Sequence, residues 1–271
     1  MKENELSLYQ GFLATPSLWT TILHEVPQFN FPTCNLKTFT PKPIPNNLRI
    51  GHRIEYVFEQ LLAHHKAFHI YASNIAIRNK ERTLGELDFI VKEKGTERVL
   101  HIELTYKFYV ILPGDSSIWN RMIGPNKKDS FASKLHKIKT GQFPLLAHEE
   151  TKPLLEQHKL NVENITQCVC FKAQVFAPYH HQKINIEDLN PASVCGFWMN
   201  TYDFINTDFN NYLFYIPKKY EWPIIPFEEV TWQTFDFITK ALNVYMKDQM
   251  SPMLWIREPN GNIIKIFVVW W

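Results

Sequence analysis

The sequence predicts a mixed α/β chain of the α+β kind, in which a helix enters a strand meander, and three observations carry that prediction. From Leu48 the apolar residues Ile50, Ile54, Val57, Phe58, Leu61 and Leu62 recur at spacings of three and four, the period of an amphipathic helix. FHIYASNIAI (68–77) and GELDFIVKEKGTERVLHIELTYKFYVI (85–111) then read as successive strands, rich in β-branched and aromatic residues and interrupted by a glycine-bearing turn. At the far end, MLWI and IIKIFVVWW flank EPNGN, and an Asn-Gly pair between such runs marks a β-hairpin.

Taken in order, residues 1–47 form a short helical start and a connector, because PTCNLKTFTPKPIPNN sets four prolines among polar residues. The helix follows at about 48–66, then the strand meander. After a loop around Pro113 and Gly114, DSFASKLHKIKTGQ (129–142) has Phe131, Leu135 and Ile138 at helical spacing with lysines on the other side, a second helix expected to pack back on the sheet. In the second half, strands are expected near 166–176, 194–200 and 212–216, and a helix near 228–246. The domain reading is therefore an N-terminal helical segment and connector (1–47), a core (48–145) and a C-terminal α+β region (146–271) able to continue the same sheet. There is no internal repeat and no low-complexity tract.

Composition narrows the class without naming a function. With 271 residues, 45% hydrophobic and 21% charged, the chain can bury one large core or two modest ones. A net charge of +2 is too mild to announce a polyanion partner by itself. The opening MKENELSLYQGF lacks the apolar region of a signal peptide and no uninterrupted apolar run approaches about eighteen residues, so a cytoplasmic protein without a membrane partner is expected. Cys34, Cys168, Cys170 and Cys195 make neither a disulfide framework nor a paired zinc pattern, and Cys168-x-Cys170 reads as two same-face thiols on a buried strand.

The chemistry is concentrated in one hairpin. If Gly95-Thr96 is a two-residue type II′ turn, Lys92 faces Val99, Ile90 faces His101, Asp88 faces Glu103 and Glu86 faces Thr105. Alternation then gathers Leu87, Phe89, Val91, Leu100, Ile102, Leu104, Tyr106 and Phe108 on a core face. Glu86, Asp88, Ile90, His101, Glu103, Thr105, Lys107 and Tyr109 share the other, acidic at its centre. Two carboxylates directly opposite repel and weaken the ladder. A hard cation, Mg²⁺ or Mn²⁺, would offset that cost, because such ions accept a few carboxylate oxygens together with water and phosphate oxygens. The plain alternative is an exposed strand face made polar for solubility, and a loop of odd length would shift the pairing.

On the preceding helix, Gly51 and Glu55 stand one turn apart on one face, with a close backbone approach expected at Gly51, so Glu55 could reach the same ion directly or through water. The adjacent histidines His64-His65 and His180-His181 cannot both face one site and are not expected to bind metal. Lys134 and Lys137 read either as phosphate contacts or as the wet side of an amphipathic helix.

Gly51-x-x-x-Glu55, Gly85-Glu86-Leu87-Asp88-Phe89, Glu103-Leu104-x-x-Lys107-Phe108-Tyr109 and Gly124-Pro125-Asn126-x-x-Asp129, with Lys134 and Gln142, together resemble the bacterial domain-of-unknown-function family 1853. The resemblance is dense over about 48–143 and thinner afterwards, where Gly196 to Trp198 and the final hairpin carry it. It implies membership of the PD-(D/E)XK phosphodiesterase superfamily, with a restriction-endonuclease-like core. By that resemblance Asp88 and Glu103 bind Mg²⁺ or Mn²⁺, with Leu104 among the metal positions, Glu55 in support and Lys107 in the lysine role. The superfamily pattern sets lysine two residues after the acidic residue, where this chain has Thr105. Lys107 lies two further on the same face, roughly 7 Å along the strand.

The resemblance also implies phosphodiester hydrolysis of DNA or RNA, with Lys127, Lys128, Lys134, Lys137 and Gln142 as candidate nucleic-acid contacts. Two other readings stand beside this one: a catalytically silent relative that binds nucleic acid, and a protein that keeps the fold to bind a partner.

Overall fold

The computed structural model describes residues 2–180, 186 and 189–271. The chain divides into two units, one made of Met1–Leu13, Ser17–Tyr106 and Ser133–Lys172, the other of Ala14–Pro16, Lys107–Ala132 and Ala173–Trp271. Among the described residues, no helix is long and apolar enough to cross a membrane.

In the first unit, helix α1 (Lys2–Ala14) precedes the connector, and α2 (Ile50–His64) buries Ile54, Val57, Phe58, Leu61 and Leu62, the stripe that its sequence spacing marks. Strands β1 (Phe68–Arg78), β2 (Thr83–Glu93), β3 (Val99–Ile111) and β4 (Ile165–Pro178) lie side by side in that order, with β1/β2 and β2/β3 antiparallel. Phe58 of α2 meets Phe89 of β2 edge-on at 4.9 Å between ring centres, and Phe12 of α1 meets Phe58 at 5.9 Å. Such edge-to-face contacts add to the burial of both rings.

The second expected helix is present as α3 (Phe131–Lys137). It continues through a π-helical turn, Ile138–Gln142, into α4 (Phe143–Leu145). The turn is wider by one residue than an α-turn, with the Phe143 N–H bonded to the Ile138 carbonyl. Pro144 follows at once and has no N–H to give to an α-helical partner, which favours the irregularity there. Beyond it, Leu145, Leu146 and Leu155, the last from α5 (Lys152–Gln157), pack with Ala72, Ile77, Leu87 and Ile90.

In the second unit, β5 (Val194–Asn200) pairs in parallel with the end of β4 and with β8 (Ile263–Val269). Strand β8 runs antiparallel to β7 (Met253–Arg257), and β7 antiparallel to β6 (Leu213–Tyr215). The sheet is thus mixed, and helices α6 (Thr201–Asn206) and α7 (Phe235–Lys247) flank it. Ile238 and Leu242 of α7 pack with Phe204, Phe214, Leu254, Ile256, Ile266 and Val268. The terminal hairpin forms as the Asn-Gly pair predicts, with Gly261 at φ 88° in its loop. Helix α7 starts at Phe235 and not near 228, because Gln233 is held in an extended bridge to Phe214 through two backbone hydrogen bonds of 2.8 and 2.9 Å.

Gly196 is paired with Lys265 in the parallel ladder, and a Cβ added there would collide with the Lys265 carbonyl and sit 3.0 Å from the Phe176 ring. Both obstacles are held in the core, so neither can move away freely. Gly196→Ala is expected to destabilise the protein by about 1–3 kcal/mol, the usual cost of overpacking, read as a lowered midpoint in thermal or denaturant unfolding. An unchanged midpoint would show that the ladder can spread at this position.

Candidate metal centre

The site begins with the register of β2 against β3. Ile90 faces His101 and Lys92 faces Val99, as the sequence pattern requires. The turn itself differs from the expected one. The Glu93 N–H bonds to the Arg98 carbonyl at 2.8 Å, so the loop has four residues, 94–97, and the positive φ belongs to Glu97 (57°) and not to Gly95. Side chains hold this wider loop: Thr96 Oγ1 donates to Glu93, Arg98 pairs with Glu93 at 2.8 Å, and Lys92 pairs with Glu97. Because four and two are both even, the faces of the hairpin are unchanged.

The regular ladder ends at Phe89 and Ile102, one step before the acidic pair. Beyond that point the Leu104 N–H is taken by Asp88 Oδ2 at 2.8 Å, so Leu104 serves the site through its amide. Asp88 is 9% exposed, and His101, Glu103 and Thr105 are also buried, so the polar face of the hairpin is an interior surface. The solubility reading of that face fails for this reason.

Glu103 is held on both oxygens. His101 Nε2 lies 3.0 Å from Oε1, and Gln142 Nε2, from the π-turn, donates to Oε2. Lys134 Nζ donates to Gln142 Oε1 at 2.9 Å, one layer further out. His101 Nδ1 lies 3.0 Å from Gln167 Nε2 on β4, and the same nitrogen donates to the Phe143 carbonyl at 2.7 Å. Glu55 of α2 is half-buried, pairs with His52 Nδ1 at 3.0 Å and adds negative field at Asp88. A Cβ at Gly51 would meet nothing within 4 Å, so the close approach expected at that glycine is absent.

Electrostatics follow from burial. Desolvation, then the neighbouring Glu103 carboxylate, push Asp88 up to about 8, and desolvation pushes Glu103 up to about 7. The Lys134 ammonium pulls both back toward the charged form. Burial pushes His101 the other way, down to about 4. Near neutrality, without a cation, the two carboxylates therefore share protons as one unit.

Asp88, Glu103, Leu104, Glu55, Gln142 and Lys134 thus gather in the first unit. Lys107 belongs to the second unit, where its Nζ donates to Asp129 Oδ2 at 2.6 Å. Lys127 lies over the Trp271 ring at 3.9 Å, in a loop tied down by Trp271 Nε1 and Ser251 Oγ, both donating to the Pro125 carbonyl. The Gly124-Pro125-Asn126 motif is accordingly a structural clamp, completed by the Ser251 N–H on Asn126 Oδ1 at 2.7 Å. Lys128 and Lys137 are exposed, and Lys139 pairs with Glu25 at 3.0 Å. Cys168 and Cys170 are buried free thiols on β4, as their spacing predicts. His64 bonds the Asn35 carbonyl, and His181 lies outside the described residues.

Sequence reasoning set His101 on the acidic face but gave it no role, although His-x-Glu on a strand puts the two side chains together. Gln167 had no local signal at all, since only the fold brings β4 beside β3.

Among the described residues, no group of three or more His, Cys, Asp or Glu is gathered as a complete ligand cage. The arrangement suits an ion that takes two carboxylates and fills its remaining positions with water and substrate oxygens, as Mg²⁺ does. Thr105 Oγ1, buried with no hydrogen-bond partner among the described residues and next along from Glu103 on the same side of the strand, offers such a water a hydrogen bond. The donor set therefore fits a hard divalent cation.

For the cation-free protein the pH dependence has a definite sign. Asp88 and Glu103 titrate higher folded than unfolded, so their contribution to stability is greatest below about pH 4 and is lost as pH rises through 7 to 8. His101 titrates lower when folded, so its contribution is lost as pH falls from 6.5 toward 4. Between pH 6.5 and about 8, where the buried Lys265 begins to titrate, the carboxylates dominate. The melting temperature in chelator is expected to fall between pH 6.5 and 8, and Asp88→Asn to flatten that fall. A profile rising with pH in both proteins would contradict the assignment.

The chain matches the family described as a domain of unknown function (DUF1853) over residues 15–269. Searches of curated proteins and of solved structures returned no match. A match across nearly the whole chain shows the family: the protein belongs to the domain-of-unknown-function family DUF1853.

Proposed function

We propose that the Asp88–Glu103 pair holds Mg²⁺ or Mn²⁺ and that the protein is a metal-dependent phosphodiesterase, a nuclease of the PD-(D/E)XK, restriction-endonuclease-like superfamily acting on DNA or RNA. One observation carries the reading: two buried carboxylates meet at the point where the hairpin ladder opens, with a lysine one hydrogen bond behind them.

The roles follow from position. Asp88 and Glu103 supply negative oxygens, and Glu55 adds field from α2. When bound, a divalent cation neutralises phosphate charge and makes a water more acidic. Lys134, whose charge acts on both carboxylates, takes the lysine role in place of Lys107; it orients the attacking water or meets charge developing on the phosphate. Gln142 holds Lys134 and Glu103 at a fixed spacing. Thr105 Oγ1 anchors a water. In the first unit, the exposed Lys137 is available to a phosphate backbone, which it would hold by charge without reading sequence.

A second reading has its own support. Thr105 stands where the superfamily keeps its lysine, and Lys107 is engaged by Asp129, which favours a nuclease-fold protein that binds nucleic acid or a protein partner without cutting.

Cleavage of labelled single- and double-stranded DNA and RNA with Mn²⁺ separates the two. The nuclease reading expects Mn²⁺-dependent cleavage that Lys134→Ala lowers by about 10²–10³-fold, the usual cost of losing a positioned charge-stabilising donor, while Lys107→Ala changes it only a few-fold. Salt-sensitive binding with no cleavage of any substrate would establish the second reading instead.

A further inference from the structure

Glu103 is fully buried, yet each of its oxygens meets a donor, and the donor on Oε1 is an imidazole whose proton could sit on either nitrogen. Hydrogen-bond directions settle which. The Phe143 carbonyl can only accept, so the Gln167 atom 2.7 Å from it is the amide nitrogen. That nitrogen has a second hydrogen, and His101 Nδ1 lies 3.0 Å away. Nδ1 must therefore accept, which excludes both the imidazolium and the Nδ1–H tautomer. The ring proton is then on Nε2, aimed at Glu103 Oε1.

We infer that Gln167 and His101 are positioning residues, a hydrogen-bond chain of fixed polarity running from the Phe143 carbonyl to Glu103 that presents this carboxylate as an acceptor toward the cation. The inference rests on the cation site proposed above. With His101 on Oε1 and Gln142 on Oε2, the two donors flank the carboxylate, and its remaining lone pairs are left for the side on which it meets Asp88. A chain of opposite polarity would turn a lone pair of Nε2 against Glu103 and repel it. Cys168 Sγ, next to Gln167, lies 3.7 Å from the His101 carbonyl and ties the same two strands together. Outer-sphere partners of this kind are worth about 10–100-fold in metal affinity.

The test combines long-range ¹H–¹⁵N spectra of ¹⁵N-histidine-labelled protein with calorimetric titration of Mn²⁺. The expected wild-type spectrum shows His101 as the Nε2–H tautomer. Gln167→Leu and His101→Leu are each expected to weaken Mn²⁺ binding by about 10–100-fold, and His101→Gln, which keeps an N–H donor, to recover most of the loss. Because a leucine at position 101 endangers folding, Gln167→Leu and the wild-type spectrum carry the test independently. A proton found on Nδ1 would overturn the inference. So would unchanged affinity in Gln167→Leu while Asp88→Asn abolishes binding, a result that leaves the metal site standing. Absence of Mn²⁺ binding by the wild type would remove the site and the inference together.

Discussion

Two carboxylates brought together away from water are the constraint on which this structure turns. In water, Asp88 and Glu103 would repel weakly; buried, both are costly to ionise, through desolvation and, for Asp88, through the Glu103 charge beside it. The surrounding arrangement reads as a response to that cost. The ladder opens at Phe89 and Ile102, the Leu104 N–H donates to Asp88, Gln142 donates a hydrogen bond to Glu103 Oε2, and His101 Nε2 meets Oε1. Lys134 brings positive charge that favours ionisation of both carboxylates, and its Nζ donates to Gln142. What these groups leave uncompensated is the charge that a divalent cation would carry.

The π-turn is the local feature that makes this possible. A regular α-helix from Phe131 to Leu145 would rotate Gln142 by a different angle from the one that meets Glu103, and the extra residue in the turn resets that direction. The irregularity sits directly before Pro144, so the residue that perturbs the helix and the residue that uses the perturbation are two apart. Gly124, Pro125 and Asn126, which travel with the acidic motifs in the sequence, do a different job. They clamp a loop onto Ser251 and Trp271 in the second unit.

How much of this the sequence discloses depends on the range of the interaction. Alternation and helical period are local, and they placed α2, the β2–β3 hairpin, the terminal hairpin and the face shared by Asp88, His101 and Glu103. Register parity survived a wrong turn because it depends on whether the loop is even, whereas the turn conformation depends on Glu93 meeting Thr96 and Arg98. The choice between Lys107 and Lys134 was not legible: both have spacing that suits the site, and what distinguishes them is Asp129 capturing one and Gln142 holding the other. Gln167 is 64 positions from Glu103 and joins the site only because β4 lies beside β3. Burial of the acidic face was hidden for the same reason, since alternation shows two faces and cannot say that both are covered.

The claim at the centre of this account is that a divalent cation sits between Asp88 and Glu103, and the most direct measurement is an anomalous difference map from crystals soaked in Mn²⁺. A single strong peak is expected at about 2.1 Å from a carboxylate oxygen of each residue, with water completing the shell. A map with no peak there under saturating Mn²⁺, while Lys134, Gln142 and His101 keep their hydrogen bonds, would contradict it.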